Sequence, residues 1–123
     1  MTIKEIINVL SAEVLTHNEG ADFDKEVLTA CGSDMMSDVL AYVKDQGLLL
    51  TGLSNPQAVR TASMMDMCCV VFVRGKRPDD AMLKLAEQLD ITLLATPLTM
   101  FTACGVLYEN GLRGSTIAEF GGG

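Results

Sequence analysis

Residues 68–73 read Cys-Cys-Val-Val-Phe-Val, six apolar side chains in a row with no polar alternation. A strand with one wet face alternates apolar and polar residues, so an unbroken apolar run of strand length predicts burial on both faces. A parallel sheet covered by helices on each side supplies that environment. Met82, Leu85, Ala86 and Leu89 fall at i, i+3, i+4 and i+7, the clearest helical stripe in the chain and a natural crossover element.

The rest of the chain repeats the pattern. Thr2 and Glu5 have the T-x-x-E spacing of a capping box, followed by Ile3, Ile6, Ile7 and Leu10 at helical spacing. Glu13–Thr16 reads as a short strand, residues 17–26 as a polar loop, and Val27–Cys31 as a compact strand turned by Gly32 and Ser33. Met35, Met36, Val39, Leu40 and Val43 mark a helix starting near Ser33, with Gly47 stopping it in the C′ position. Leu48–Thr51 is a strand, and Asn55-Pro56 opens a helix that runs to about Met65. Thr92–Ala95 is a strand, and a helix from Thr99 ends at Asn110-Gly111. Strand and helix alternate, which predicts a single α/β domain, a mainly parallel sheet with helices packed on its faces. That domain is expected over residues 1–112. The weakly patterned tail at 113–123 reads either as disordered or as a strand added at an edge or in a partner subunit.

Composition narrows the function. A formal net charge of −7 in 123 residues argues against nucleic acid and anionic membranes as partners, because both require a basic field. No run of 18 apolar residues could span a bilayer, and MTIKEIINVL has no signal-peptide pattern. The four cysteines form no C-x-x-C pair, which fits reduced thiols and a cytoplasmic location. With 8 Met and no Trp, the core is expected to be aliphatic and methionine-rich.

Parallel sheets bind ligands beyond the carboxyl ends of their strands, where helix N-termini present free N–H groups and about half a positive charge. An acid in a helix's first turn answers that charge from within. Asp34 would do so for the helix near Ser33, and Asp79 and Asp80 for the helix near Pro78. The helices opening at Asn55 and Thr99 carry no such acid, so their N-termini are expected to be vacant. Thr51, Gly52, Ser54 and Asn55 would line one, and Thr96 and Thr99 the other. Arg74 and Lys76, on the turn Arg-Gly-Lys-Arg-Pro that includes Gly75, would add positive charge. Ordinary structure explains the same residues: Asn-Pro is good helix-starting chemistry, and the basic turn can balance Asp79 and Asp80.

Motifs for catalysis are missing. There is no G-x-x-x-x-G-K-[ST] and no G-x-G-x-x-G. His17 stands in a polar loop without triad context, and Asp22, Asp24 and Glu26 lack EF-hand spacing, so each reads as a solvated loop residue. Cys68-Cys69 reads as a packed strand start. Neither an enzyme, a cofactor nor a metal is expected.

The segments TGLSNPQAVRTASMMDMCCVVFVRGKRP and LAEQLDITLLATPLTMFTACGVLYENG resemble the DRTGG domain, from about Ala30 to Gly111. The likeness is strongest at 48–65, in VFVRGKRP and in ITLLATPLTMF. It implies an α/β domain similar to the N-terminal domain of the HPr kinase/phosphorylase, whose catalytic P-loop lies in another domain. Similar domains resemble an insert in some CBS-domain pyrophosphatases and part of phosphotransacetylase-like proteins. The family is regarded as regulatory or associative and commonly pairs with itself. Its relatives tend to have Thr-Gly-Asp-Arg where this chain has Thr51-Gly52-Leu53-Ser54, and Thr-Gly-Gly where it has Val73-Arg74-Gly75.

Two expectations follow. One is a cytoplasmic, homodimeric regulatory domain that senses an adenine nucleotide or another phosphometabolite. The other is an interaction module that docks on a partner enzyme through Met-rich faces and the tail around Ile117 and Phe120.

Overall fold

In the computed structural model, which describes residues 1–42 and 47–114, the apolar run at 68–73 supplies the central strand of a five-stranded sheet. Along the chain the elements are α1 (Ile3–Leu10), β1 (Glu13–Val14), β2 (Thr29–Gly32), α2 (Met36–Tyr42) and β3 (Gly47–Thr51), followed by α3 (Pro56–Met64), β4 (Cys69–Phe72), α4 (Asp80–Gln88), β5 (Thr92–Ala95) and α5 (Met100–Glu109). The spatial order is β1-β5-β4-β3-β2, parallel from β2 to β5, with β1 antiparallel at one edge. This is the α/β architecture expected from the alternation of strand and helix.

Side chains leave a strand on alternate faces, and here both faces are covered. Leu49, Val70, Phe72 and Leu93 meet Val39 of α2, Val59 and Ala62 of α3, and Met82 and Ala86 of α4. Leu48, Leu50, Val71 and Leu94 meet Ile3, Ile6 and Leu10 of α1 and Ala103 and Leu107 of α5. Every residue of β3 and β4 is buried, which accounts for the missing polar alternation. No helix among the described residues is long and apolar enough to cross a membrane.

Three local expectations are corrected. Gly47 is the first residue of β3, opposite Thr29, and the expected end of α2 just before it lies outside the described residues. A methyl there would run into the Thr29 carbonyl oxygen, so glycine is needed for the close approach of the two strands. Val27 and Leu28 do not belong to β2, because Glu26 bridges Thr2 and the Val27 N–H donates to the Met1 carbonyl at 2.7 Å. That segment pairs with the N-terminus instead. Gly32 ends β2 rather than forming the turn, and α2 begins at Met36, not near Ser33. The expected reach of that helix to Val43, and most of the tail at 113–123, lie outside the described residues.

Candidate functional site

Because β2 to β5 are parallel, their carboxyl ends open on one rim, and the loops leading into α2, α3, α4 and α5 meet there. The loop after β4 is its hub. Arg74 and Gly75 both have left-handed backbone, φ 57° and 68°, and the Lys76 N–H donates to the Val73 carbonyl at 3.1 Å. Positive φ at both central residues is the signature of a mirror-image tight turn, unusual for an arginine. Two bonds hold it: Arg74 N–H to the Leu98 carbonyl at 2.8 Å, and Gly75 N–H to the Thr96 carbonyl at 2.9 Å. The Ser54 hydroxyl donates to the Arg77 carbonyl at 2.7 Å and ties in the loop after β3. Thus Thr51, Gly52, Ser54, Asn55, Arg74, Gly75, Lys76, Thr96 and Thr99 all lie along this rim.

The rim also contains a residue that sequence reasoning assigned elsewhere. Asp34 does not sit in the first turn of α2. Its Oδ1 accepts the Gly52 N–H at 2.6 Å and the Thr51 hydroxyl at 3.1 Å. A methyl on Gly52 would stand 2.8 Å from Arg74 Nη2 and 3.4 Å from Asp34 Oδ1. The bare glycine therefore leaves room for a guanidinium and a carboxylate side by side over the end of β3. The signal for Asp34 was its place just after a strand beside β3, but the same position fits a helix cap, and only the fold distinguishes the two.

The expected vacancies are revised. The N-terminus of α3 has no amide to offer. Pro56 has no N–H, Gln57 N–H goes to Asn55 Oδ1 at 2.8 Å, and Ala58 N–H goes to the Asn55 carbonyl at 3.1 Å. Asn55 is thereby committed as a cap. Thr96 cannot line a ligand surface, being fully buried with its hydroxyl donated to the Leu10 carbonyl at 2.6 Å. It instead positions the loop before α5. The N-terminus of α5 is more open: Thr99 Oγ1 reaches the Thr102 N–H at 3.5 Å, and its first turn carries no acid.

Charge is distributed unevenly along the rim. Arg77 does not balance Asp79 or Asp80; it forms a two-pronged pair with Glu13 of β1, at 3.2 and 2.7 Å. Those hydrogen bonds, and then the arginine's charge, hold the Glu13 carboxyl below its ordinary value. Asp79 caps α4 through the Met82 N–H at 2.9 Å. Arg74 and Lys76 are exposed, and neither forms an ion pair with a described residue. They are the cationic groups on this rim that are still free to meet an anion.

The remaining candidates are structural in character. His17 is exposed and its backbone N–H donates to Glu87. Cys69 is fully buried, and burial pushes the thiols of Cys31, Cys68, Cys69 and Cys104 up. No group of three or more His, Cys, Asp or Glu residues suited to a metal occurs among the described residues.

The fold and rim define a small parallel α/β domain whose loops after β2, β3, β4 and β5 converge around Arg74 and Asp34. The family model for the DRTGG domain matches residues 5–109, and the chain belongs to that family. Among curated proteins, none matches. Among solved structures, the CBS and DRTGG domains of the regulatory region of Clostridium perfringens pyrophosphatase, complexed with the activator diadenosine tetraphosphate, match with a TM-score of 0.70 at 19% identity. The match covers 86% of this chain and 45% of that chain. At that identity the likeness is one of fold.

Proposed function

We propose that this chain is a non-catalytic, cytoplasmic regulatory domain. On this reading it pairs with a second copy of itself and takes a nucleotide or another phosphorylated metabolite on the carboxyl rim. The observation that carries the reading is the juxtaposition of the Arg74 guanidinium and the Asp34 carboxylate over Gly52. A guanidinium suits a phosphate, while a carboxylate accepts hydroxyl or amino donors. A nucleotide carries both, whereas inorganic phosphate alone would be repelled by Asp34.

Arg74, Gly75, Lys76 and the Thr99 hydroxyl would hold the phosphate, with Gly52 and Ser54 forming the floor, while Thr51, fully buried like Thr96, cannot touch a ligand and instead donates its hydroxyl to Asp34. Asn55 and Thr96 would act through the backbone they position. This set suits holding an anion rather than moving a proton, since its one carboxylate already accepts two hydrogen bonds. The activator bound by the pyrophosphatase region is itself an adenine nucleotide, though that region joins a DRTGG domain to CBS domains.

Calorimetry against AMP, ADP, ATP, diadenosine tetraphosphate and inorganic phosphate tests the proposal. An adenine nucleotide should bind, and Arg74→Ala should weaken it by about tenfold, or roughly 1.4 kcal/mol. Silence across the panel would remove the sensing claim.

A second reading, a ligand-free interaction module, is favoured by α5. Its outer face exposes 89% of Phe101 and 60% of Tyr108, with Met100, Cys104 and Gly105 alongside. Exposed apolar surface of this kind marks a contact with another protein. Light scattering that shows a monomer at every concentration would count against both the module and the pairing.

A further inference from the structure

α5 (Met100–Glu109) carries a glycine in its interior, Gly105, where alanine would make the better helix. Gly105 is exposed and its φ is not positive, so neither burial nor backbone conformation calls for glycine. Its position on the helix is informative. At 3.6 residues per turn, Gly105 lies diametrically opposite the midpoint between Ala103 and Leu107, which are buried against the sheet. It therefore marks the centre of the outward face.

Phe101 stands one turn before Gly105 and Tyr108 one turn after it, and both rings are exposed. The outward face is thus a stretch of bare backbone framed by two aromatic side chains. It is also nearly free of charge. From Met100 to Asn110 the one charged side chain is Glu109, in a chain whose net charge is −7.

We propose that α5 is the surface through which two copies of this chain pair, the two helices running antiparallel and crossing at Gly105. The placement rests on the self-pairing proposed above and gives it a location. A two-fold axis through Gly105 sets each residue opposite the one equally far beyond Gly105 in the other copy. Phe101 then meets the partner's Glu109, and Thr102 meets the partner's Tyr108. With no side chain at the crossing, the two backbones come close and the rings pack beside them.

The occupant is a second copy because this face is complementary to itself, as an isologous contact requires. The first turn of α5 carries no acid, and its cap is long, Thr99 Oγ1 reaching the Thr102 N–H at 3.5 Å. Antiparallel pairing brings the partner's Glu109 to that turn, where a carboxylate faces the positive end of the helix dipole. The same contact forms a second time, with the roles of the two copies exchanged. Two acidic chains repel one another, and a face with so little charge is where they can meet.

Sedimentation velocity over a dilution series of the 123-residue chain tests the placement. Gly105→Gln should raise the dimer dissociation constant by about tenfold or more, as for a residue at the centre of an interface. It should not lower the unfolding midpoint at concentrations where monomer prevails, because glutamine is the better helix former. Phe101→Ser should weaken the dimer by a similar factor. Glu109→Lys should weaken it too, by a factor that shrinks in high salt. Met64→Ser, at an equally exposed apolar position on α3, should leave the dimer unchanged. A wild type that is monomeric at every concentration would remove self-pairing itself, and the α5 interface with it. A wild-type dimer that tolerates both Gly105→Gln and Phe101→Ser would leave the pairing standing and overturn its placement on α5.

Discussion

Replacing Arg74 by glycine should stabilise this protein while weakening its hold on an anion. Arg74 has φ 57°, fixed by the bonds from its own N–H to Leu98 and from Gly75 to Thr96. Holding a side-chain-bearing residue in the left-handed region costs about 1–2 kcal/mol. Glycine removes that cost but adds freedom to the unfolded chain, returning about 0.4–1 kcal/mol. The guanidinium is exposed and makes no ion pair with a described residue, so its loss should matter little to stability. The net expectation is a gain of about 0.5–1 kcal/mol, a rise in Tm of roughly 2–5 °C for a domain of this size. Arg74→Ala removes the same guanidinium and keeps the backbone cost, so it should be close to neutral. Urea denaturation of the wild type and both variants isolates the backbone contribution as the difference between glycine and alanine. An alanine variant as stable as the glycine variant would refute the left-handed turn. Retention of full nucleotide affinity by both would refute the part given to the guanidinium.

Gly47→Ala should destabilise by about 1–3 kcal/mol or more, because the methyl meets the backbone of Thr29 and forces β2 from β3. Gly52→Ala meets mainly the movable end of Arg74 and should stay near wild type; urea midpoints of the two variants check both expectations. Glu13 titrates below its ordinary value in the folded chain because Arg77 bonds to it. Its stabilising contribution is therefore present above the ordinary glutamate value and disappears as pH falls through the lower folded one. In Arg77→Gln the Glu13 carboxyl should titrate higher by NMR, and the stability difference from wild type should shrink in acid and in high salt. Finally, all four thiols are pushed up by burial, so alkylation should be slow at neutral pH and quicken in alkali. Cys69, fully buried, should react last, and mass spectrometry of the time course would show the order.

Local chemistry was legible in the sequence wherever cause and effect lie within a turn or a strand of one another. The double-sided burial of Val70, Val71 and Phe72 follows from their unbroken apolar run. The capping box of Thr2 and Glu5 forms as its spacing predicts, and so does the Asp79 cap of α4. Asn55-Pro56 starts α3, yet the same two residues close off the amides that the sequence suggested were vacant. Here the motif was visible and its consequence was misjudged, because capping and anion binding compete for the same N–H groups.

What the tertiary structure alone decided depends on groups far apart along the chain. Asp34 meets Gly52 across 18 positions, and Arg77 meets Glu13 across 64. Gly47 is dictated by Thr29 on the neighbouring strand, and Arg74 takes left-handed backbone because Leu98 and Thr96 hold the turn from the next loop. Hydrophobic period and caps select elements over short spans. Which charge faces which amide depends on how the assembled sheet brings its loops together, so an aspartate that reads as a helix cap becomes the carboxylate beside an arginine.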